Sequence, residues 1–132
     1  MAITVFSGSV DRLLGMAVLA SSAAAMDWEV EIFLQLWGVY AFKKDVIKKN
    51  MNFSEFKEMA DAVVKRMQEL NIPMWYEILK QAKEIGNVKV YACSTACKAW
   101  DVTIDGLEMV DEIMDAGVFI EKTKDATVSL FI

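Results

Sequence analysis

Cys93 and Cys97 are the two cysteines of a 132-residue chain that contains no histidine. Lack of histidine removes the commonest general base and the commonest metal ligand. Histidine-dependent triads and His-based zinc sites are excluded, and two cysteines alone make a poor zinc site. No metal and no cofactor is therefore expected, and thiol chemistry becomes the natural candidate. Its nucleophile is the thiolate, not the thiol. Cys93 follows the apolar run Val88 to Ala92 (VKVYA) and precedes residues that can start a helical turn. A cysteine there faces backbone N–H groups and the positive end of a helix dipole, which favour the thiolate. Lys98 adds positive charge if it turns back. The plainer alternative is a buried packing cysteine, since free cysteine is among the most buried residue types.

Cys97 lies four residues on, one helical turn away, at about 6 Å. That is within reach of a disulfide. Cys97 is thus either a resolving thiol for Cys93 or a small packing residue. The spacing is CxxxC rather than the CxxC of thioredoxin-like sites.

Other candidates are binding residues. Ser7, Gly8 and Ser9 form a small turn that can present N–H groups to an anion, although GxGxxG and GxxxxGK[ST] patterns are absent. Trp37 and Gly38 follow a second apolar run, where the indole can wall a thiol site. Lys43, Lys44, Lys48 and Lys49 read first as a solvated face and second as a steering patch for an acidic partner. In an open parallel sheet, ligands bind beyond the carboxyl ends of the strands. Ser7-Gly8-Ser9, Trp37-Gly38 and Cys93 each follow a predicted strand, so they converge on one edge.

The elements that must position them alternate. Ala2 to Phe6 reads as a strand and Val10 to Met26 as a helix rich in alanine. Glu29 to Leu34 alternates as a second strand, with Val30, Ile32 and Leu34 on one face. Asn52 to Leu70 reads as a helix, its apolar face formed by Phe56, Met59, Ala60, Val63, Met67 and Leu70. Asn52 is its expected N-cap, with Glu55 three residues on, and Asn71 and Pro73 stop it. A further helix spans Met74 to Ile85, with Gly86 as its stop. Val88 to Ala92 is the third strand, and Ser94 or Thr95 is the expected cap of the turn holding Cys97 to Trp100. A short helix at Ile104 to Val110, a strand at Glu112 to Met114, a helix at Ala116 to Lys124 and a strand at Val128 to Ile132 complete the reading. Strands alternating with helices predict a mostly parallel sheet covered on both faces, in one domain over residues 1–132.

Net charge is −5 and the isoelectric point about 4.7. Phosphate binding needs a basic field, so nucleic acid is not an expected partner. Nor is an anionic membrane surface. The uncharged stretch Leu13 to Met26 is too short to cross a bilayer, which takes about 20 residues, and it lacks a basic n-region before it. Two cysteines without a signal peptide point to a reducing, cytoplasmic setting. The hydrophobic fraction of 55% is high. A homo-oligomer is therefore expected, with the alanine-rich helix at its interface.

The run FSGSVDRLLG, the alanine-rich helix ending AAAMDWEVEIF, LWGV after the second strand, VKVYAC and the tail DATVSLFI occur in an informative order. With these motifs the chain resembles the DsrE/DsrF-like family of small sulfur-relay proteins, which includes the TusD type. The resemblance implies a three-layer α/β/α sandwich around a five-stranded parallel sheet, usually assembled into oligomers. It implies a persulfide on Cys93 and transfer of sulfane sulfur between small TusA-like carriers and rhodaneses. Two positions depart from the pattern. Cys97 stands where many relatives carry methionine, which opens dithiol chemistry. Asp101 stands where many carry glycine, which speaks against a glycine-dependent turn and adds negative charge. The leading expectation is a sulfur carrier or sulfurtransferase acting through Cys93. The alternatives are a thiol–disulfide or peroxide-related redox protein using Cys93 and Cys97, and a non-enzymatic oligomeric interaction subunit.

Overall fold

The structure, a computed structural model, describes residues 1–132. Five short strands form the frame: β1 (Ala2–Val5), β2 (Val30–Leu34), β3 (Val88–Cys93), β4 (Glu112–Met114) and β5 (Ser129–Phe131). They lie in the order β4-β3-β2-β1-β5, and every neighbouring pair is parallel. Six helices connect them: α1 (Val10–Ala25), α2 (Leu36–Ala41), α3 (Ala60–Glu69), α4 (Trp75–Ile85), α5 (Ser94–Ala99) and α6 (Ala116–Thr123). The α/β sandwich expected from the alternation of elements is the fold observed.

Side-chain parity divides the sheet into two faces. Ile3, Val5, Val30, Ile32, Leu34, Val88, Val90 and Ala92 enter the main core, together with Leu13, Met16, Ala17 and Ala20 of α1 and Trp75, Leu79 and Ala82 of α4. Small residues let α1 and α4 approach closely. A Cβ placed on Gly86 would lie 2.7 Å from Ala24 Cβ, so glycine is required where α4 ends beside α1. The other face is thinner. Ala2, Phe33, Tyr91 and Met114 are covered there by Phe119 of α6, whose ring stacks on Phe33 at 4.7 Å. Truncating a fully buried residue such as Leu79 to alanine costs about 2–5 kcal/mol in a core of this kind.

Three local expectations are corrected. The helix expected from Asn52 begins only at Ala60, after a 3₁₀ turn at Lys57–Met59 and a left-handed Phe56 (φ 44°). Asn52 is therefore not an N-cap. Residues 50–54 are tied instead to the start of α1: Asn50 Nδ2 donates to the Gly8 carbonyl and the Asn52 carbonyl accepts from Val10 N–H. Those tertiary hydrogen bonds outweigh a helix propensity worth only tenths of a kcal/mol per residue. Of the predicted apolar stripe, Ala60 and Met67 are buried, whereas Phe56, Met59, Val63 and Leu70 are exposed. The helix expected over Ile104 to Val110 is one 3₁₀ turn, Ile104–Gly106. Its backbone is drawn to the segment after α2, with Lys44 N–H donating to Gly106 and Glu108 N–H to Phe42. Trp37 and Gly38, expected to close a strand end, lie inside α2.

The alanine-rich α1 is covered along one side by its own chain, and Val18 and Leu19 are exposed on the other. No helix is long and apolar enough to cross a membrane.

Candidate functional site

Cys93 is the last residue of β3 and the N-cap of α5, with φ −62° and ψ 124°. The cap is thus the cysteine itself, not Ser94 or Thr95. The apolar strand drives this placement. Val88, Val90 and Ala92 anchor β3 in the main core, which sends Lys89, Tyr91 and Cys93 to the thinner face. Cys93 pairs in register with Met114 of β4 and is half-buried. Beside it the Ser94 hydroxyl donates to the carboxylate of Asp115, the residue that follows β4. Both cysteines are free thiols.

Cys97 is buried one turn further along α5. Burial pushes its thiol pKa up, and the neighbouring Cys93 pushes it further in the same direction. Near neutral pH Cys97 is therefore a protonated thiol and a poor nucleophile until something deprotonates it. The turn that ends α5 keeps the form expected of a glycine even though Asp101 occupies it. Asp101 is left-handed (φ 48°), its N–H donates to Lys98, and Val102 N–H donates to Cys97. This is a Schellman closure, in which Asp is one of the few residues that substitutes for glycine at modest cost. The expectation that Asp101 would disfavour such a turn is corrected.

Trp100 locks α5 to α2. Its Nε1–H donates to the Leu36 carbonyl at 2.7 Å, and its ring lies 5.2 Å from Trp37 and 4.8 Å from Tyr40. Trp37 in turn walls a cavity of about 640 Å³ that also takes in Phe6, Ser7, Gly8, Ser9 and Arg12. That volume lies within the range of small-molecule sites. Ser7 and Ser9 hydroxyls bond each other at 2.8 Å. Gly8 is needed because a Cβ there would sit 2.6 Å from the Trp37 carbonyl. Gly38 has the same reason at the next contact: its Cβ would lie 2.4 Å from the Val5 carbonyl, so it seats α2 on β1 and has a packing role.

The sequence candidates thus fall into two groups along one edge of the sheet. Ser7, Gly8, Ser9 and Trp37 share the aromatic cavity. Cys97 and Lys98 line a second opening of about 480 Å³ with Ser94 and Asp101, and Cys93 stands at the head of that same helix. The Trp37–Trp100 contact joins the groups. Two residues escape sequence reasoning. Asp115 follows the strand next to Cys93, and its position after a predicted strand was an available signal. Trp100 gives no signal, because its partner Leu36 is 64 residues away.

Residues 1–74 match the model of a family described as DsrE/DsrF/DrsH-like. The chain is similar to the uncharacterized protein YrkE of Bacillus subtilis (strain 168), 27% identical over 154 residues, covering 98% of this chain and 94% of that one. Two solved structures share the fold. Protein MTH1491 of Methanobacterium thermoautotrophicum, of unknown function, superposes with a TM-score of 0.66 at 13% identity, over 99% of this chain and 96% of its own. The ychN protein of E. coli gives 0.59 at 18% identity, over 99% and 97%.

Proposed function

We propose that this chain, which belongs to the DsrE/DsrF/DrsH-like family associated with sulfur relay, carries sulfane sulfur as a persulfide on Cys93. The observation that supports this reading most is the place of Cys93: half-buried, at the carboxyl end of β3 and at the head of α5. The matched residues 1–74 end before Cys93, so the role of this thiol rests on its geometry.

The transfer needs two displacements and no metal. The Cys93 thiolate attacks the outer sulfur of a donor persulfide R–S–SH. A new S–S bond forms to Cys93, the donor S–S bond breaks, and the donor leaves as R–S⁻. An acceptor thiolate then attacks the outer sulfur of Cys93–S–SH, and Cys93 is released as thiolate. Donor and acceptor in this reading are a small TusA-like carrier and a rhodanese in a reducing cytoplasm. The chain acts as a sulfurtransferase, with no cofactor. The cavity at Ser7, Gly8, Ser9 and Trp37 is the place assigned to the partner segment, and Lys98 lines the other opening, beside Cys97. A homo-oligomer is part of the same proposal.

Intact-mass analysis after incubation with a persulfide donor tests it. Wild type is expected to gain one sulfur atom, and Cys93→Ser to gain none. No adduct on wild type, or an undiminished adduct on Cys93→Ser, would overturn the reading.

A further inference from the structure

Cys97 is the nucleophilic group next to Cys93 that the transfer steps leave unused. It is buried, it stands one helical turn from Cys93, and it lines an opening of about 480 Å³ with Ser94, Lys98 and Asp101. The Schellman closure through Asp101 and Val102 fixes the far end of α5, with the Cys97 carbonyl as one acceptor. At the near end Cys93 is paired with Met114 and Ser94 is bonded to Asp115, while the Cys93 thiol itself makes no cap hydrogen bond. Cys93 is the N-cap with extended backbone and Cys97 lies within the helix four residues on, whereas a disulfide needs Cβ atoms about 3.5–4.5 Å apart. Joining the two sulfurs takes a local rearrangement of the first turn of α5 and of the two side chains.

We propose that Cys97 is a discharge thiol, which removes sulfur from a loaded Cys93 when no acceptor takes it. The inference rests on the persulfide reading above. The Cys97 proton passes to the outer sulfur of the Cys93 persulfide. The Cys97 sulfur attacks Cys93 Sγ, the Sγ–S bond breaks, and hydrogen sulfide leaves. The balance is Cys93–S–SH plus Cys97–SH giving a Cys93–Cys97 disulfide plus H₂S. The sulfane sulfur is reduced to sulfide, and the two cysteine sulfurs are oxidised to the disulfide. A thiol or dithiol reductant then resets the pair by thiol–disulfide exchange.

The starting geometry makes this slower than delivery to a docked acceptor. Cys97 is buried and protonated, and its sulfur must travel, whereas an incoming thiolate meets a half-exposed persulfide. Discharge thereby limits how long a reactive persulfide persists without a partner.

The test loads full-length protein with inorganic polysulfide, removes the donor, and follows intact mass and free sulfide without reductant or acceptor. Wild type is expected to lose its added sulfur, release one equivalent of sulfide, and end two hydrogens lighter than the reduced protein. Peptide mapping then finds Cys93 joined to Cys97. Cys97→Ser and the apolar Cys97→Ala should hold the adduct roughly tenfold longer or more, since no internal thiol is present. Loading followed by equal decay in wild type and both variants overturns the discharge role alone. Decay of wild type without the mapped disulfide does the same. Failure of all three to load overturns the persulfide reading, and this inference with it.

Discussion

Cys93 and Cys97 share one short helix but differ in surroundings. Cys93 is half-buried at a strand end, and Cys97 is buried in the main core. The spacing in the sequence established only that the two could meet. The alternation in Val88 to Ala92 made the position of Cys93 legible, because a period-2 apolar run marks both the strand and its end. The Ser94–Asp115 bond was not legible, since it comes from pairing β3 with β4 across 21 residues of sequence. The difference in surroundings has a measurable result. Near neutral pH, iodoacetamide is expected to alkylate Cys93 roughly tenfold faster than Cys97 in the native state, because only a thiolate reacts and Cys97 is both covered and protonated. Peptide mapping by mass spectrometry resolves the two rates. The pKa of Cys97 is raised above its ordinary value of 9.0. Its contribution to stability is therefore fully present below about 9, and is lost as pH rises through the raised folded value. Equal alkylation rates near neutral pH would contradict this placement.

The elements show where local pattern prevails and where tertiary bonds override it. The strands, α1 and α4 follow their apolar periodicities closely. α3 does not, because residues 50–54 are held by the start of α1. Asp11 is the centre of that hold: its carboxylate accepts both the backbone N–H and the hydroxyl of Ser54. Partial burial alone would raise the Asp11 pKa, yet the Ser54 side-chain and backbone bonds outweigh it, and the net shift is downward from 3.8. A lowered carboxylate pKa stabilises the fold above the unfolded value, and that stability is lost as pH falls through the folded value. Ser54→Ala removes the hydroxyl bond. It is expected to cost about 1 kcal/mol, discounted from a buried charged bond because the pair is solvent-accessible. It should also move the Asp11 titration back toward 3.8 in an NMR pH series. A variant whose melting curve and Asp11 titration both match wild type would show that this tie does not hold the segment. Nothing local in Asn52 to Phe56 announces it, since its partners lie more than 40 residues earlier.

At the scale of the whole molecule, the sheet is covered unevenly. The parallel sheet and its helical cover were readable from alternating elements, but the share of helices on each face was not, because side-chain parity alone does not say where a crossover helix lands. α1 and α4 bury one face. α6, eight residues long, covers the other. Phe131, Ile120 and Val118 stand exposed around it, at 71%, 66% and 55%. Glu31 Oε2 on this face is buried without a hydrogen-bond partner. On it Lys122 pairs with Glu31 and Lys124 with Glu121. A self-complementary two-fold contact suits such a face. Light scattering on a sizing column is expected to give wild type the mass of a dimer or a multiple of it. The double variant Ile120→Glu, Phe131→Glu is expected to fall to a monomer with unchanged circular dichroism, since both side chains are exposed within one chain. Leu19→Glu, on the open side of the alanine-rich helix, serves as the comparison and should leave the mass unchanged. A wild-type monomer throughout dilution would remove the oligomer from the proposal. Dissociation by Leu19→Glu alone would move the interface to α1, where the alanine-rich sequence first suggested it.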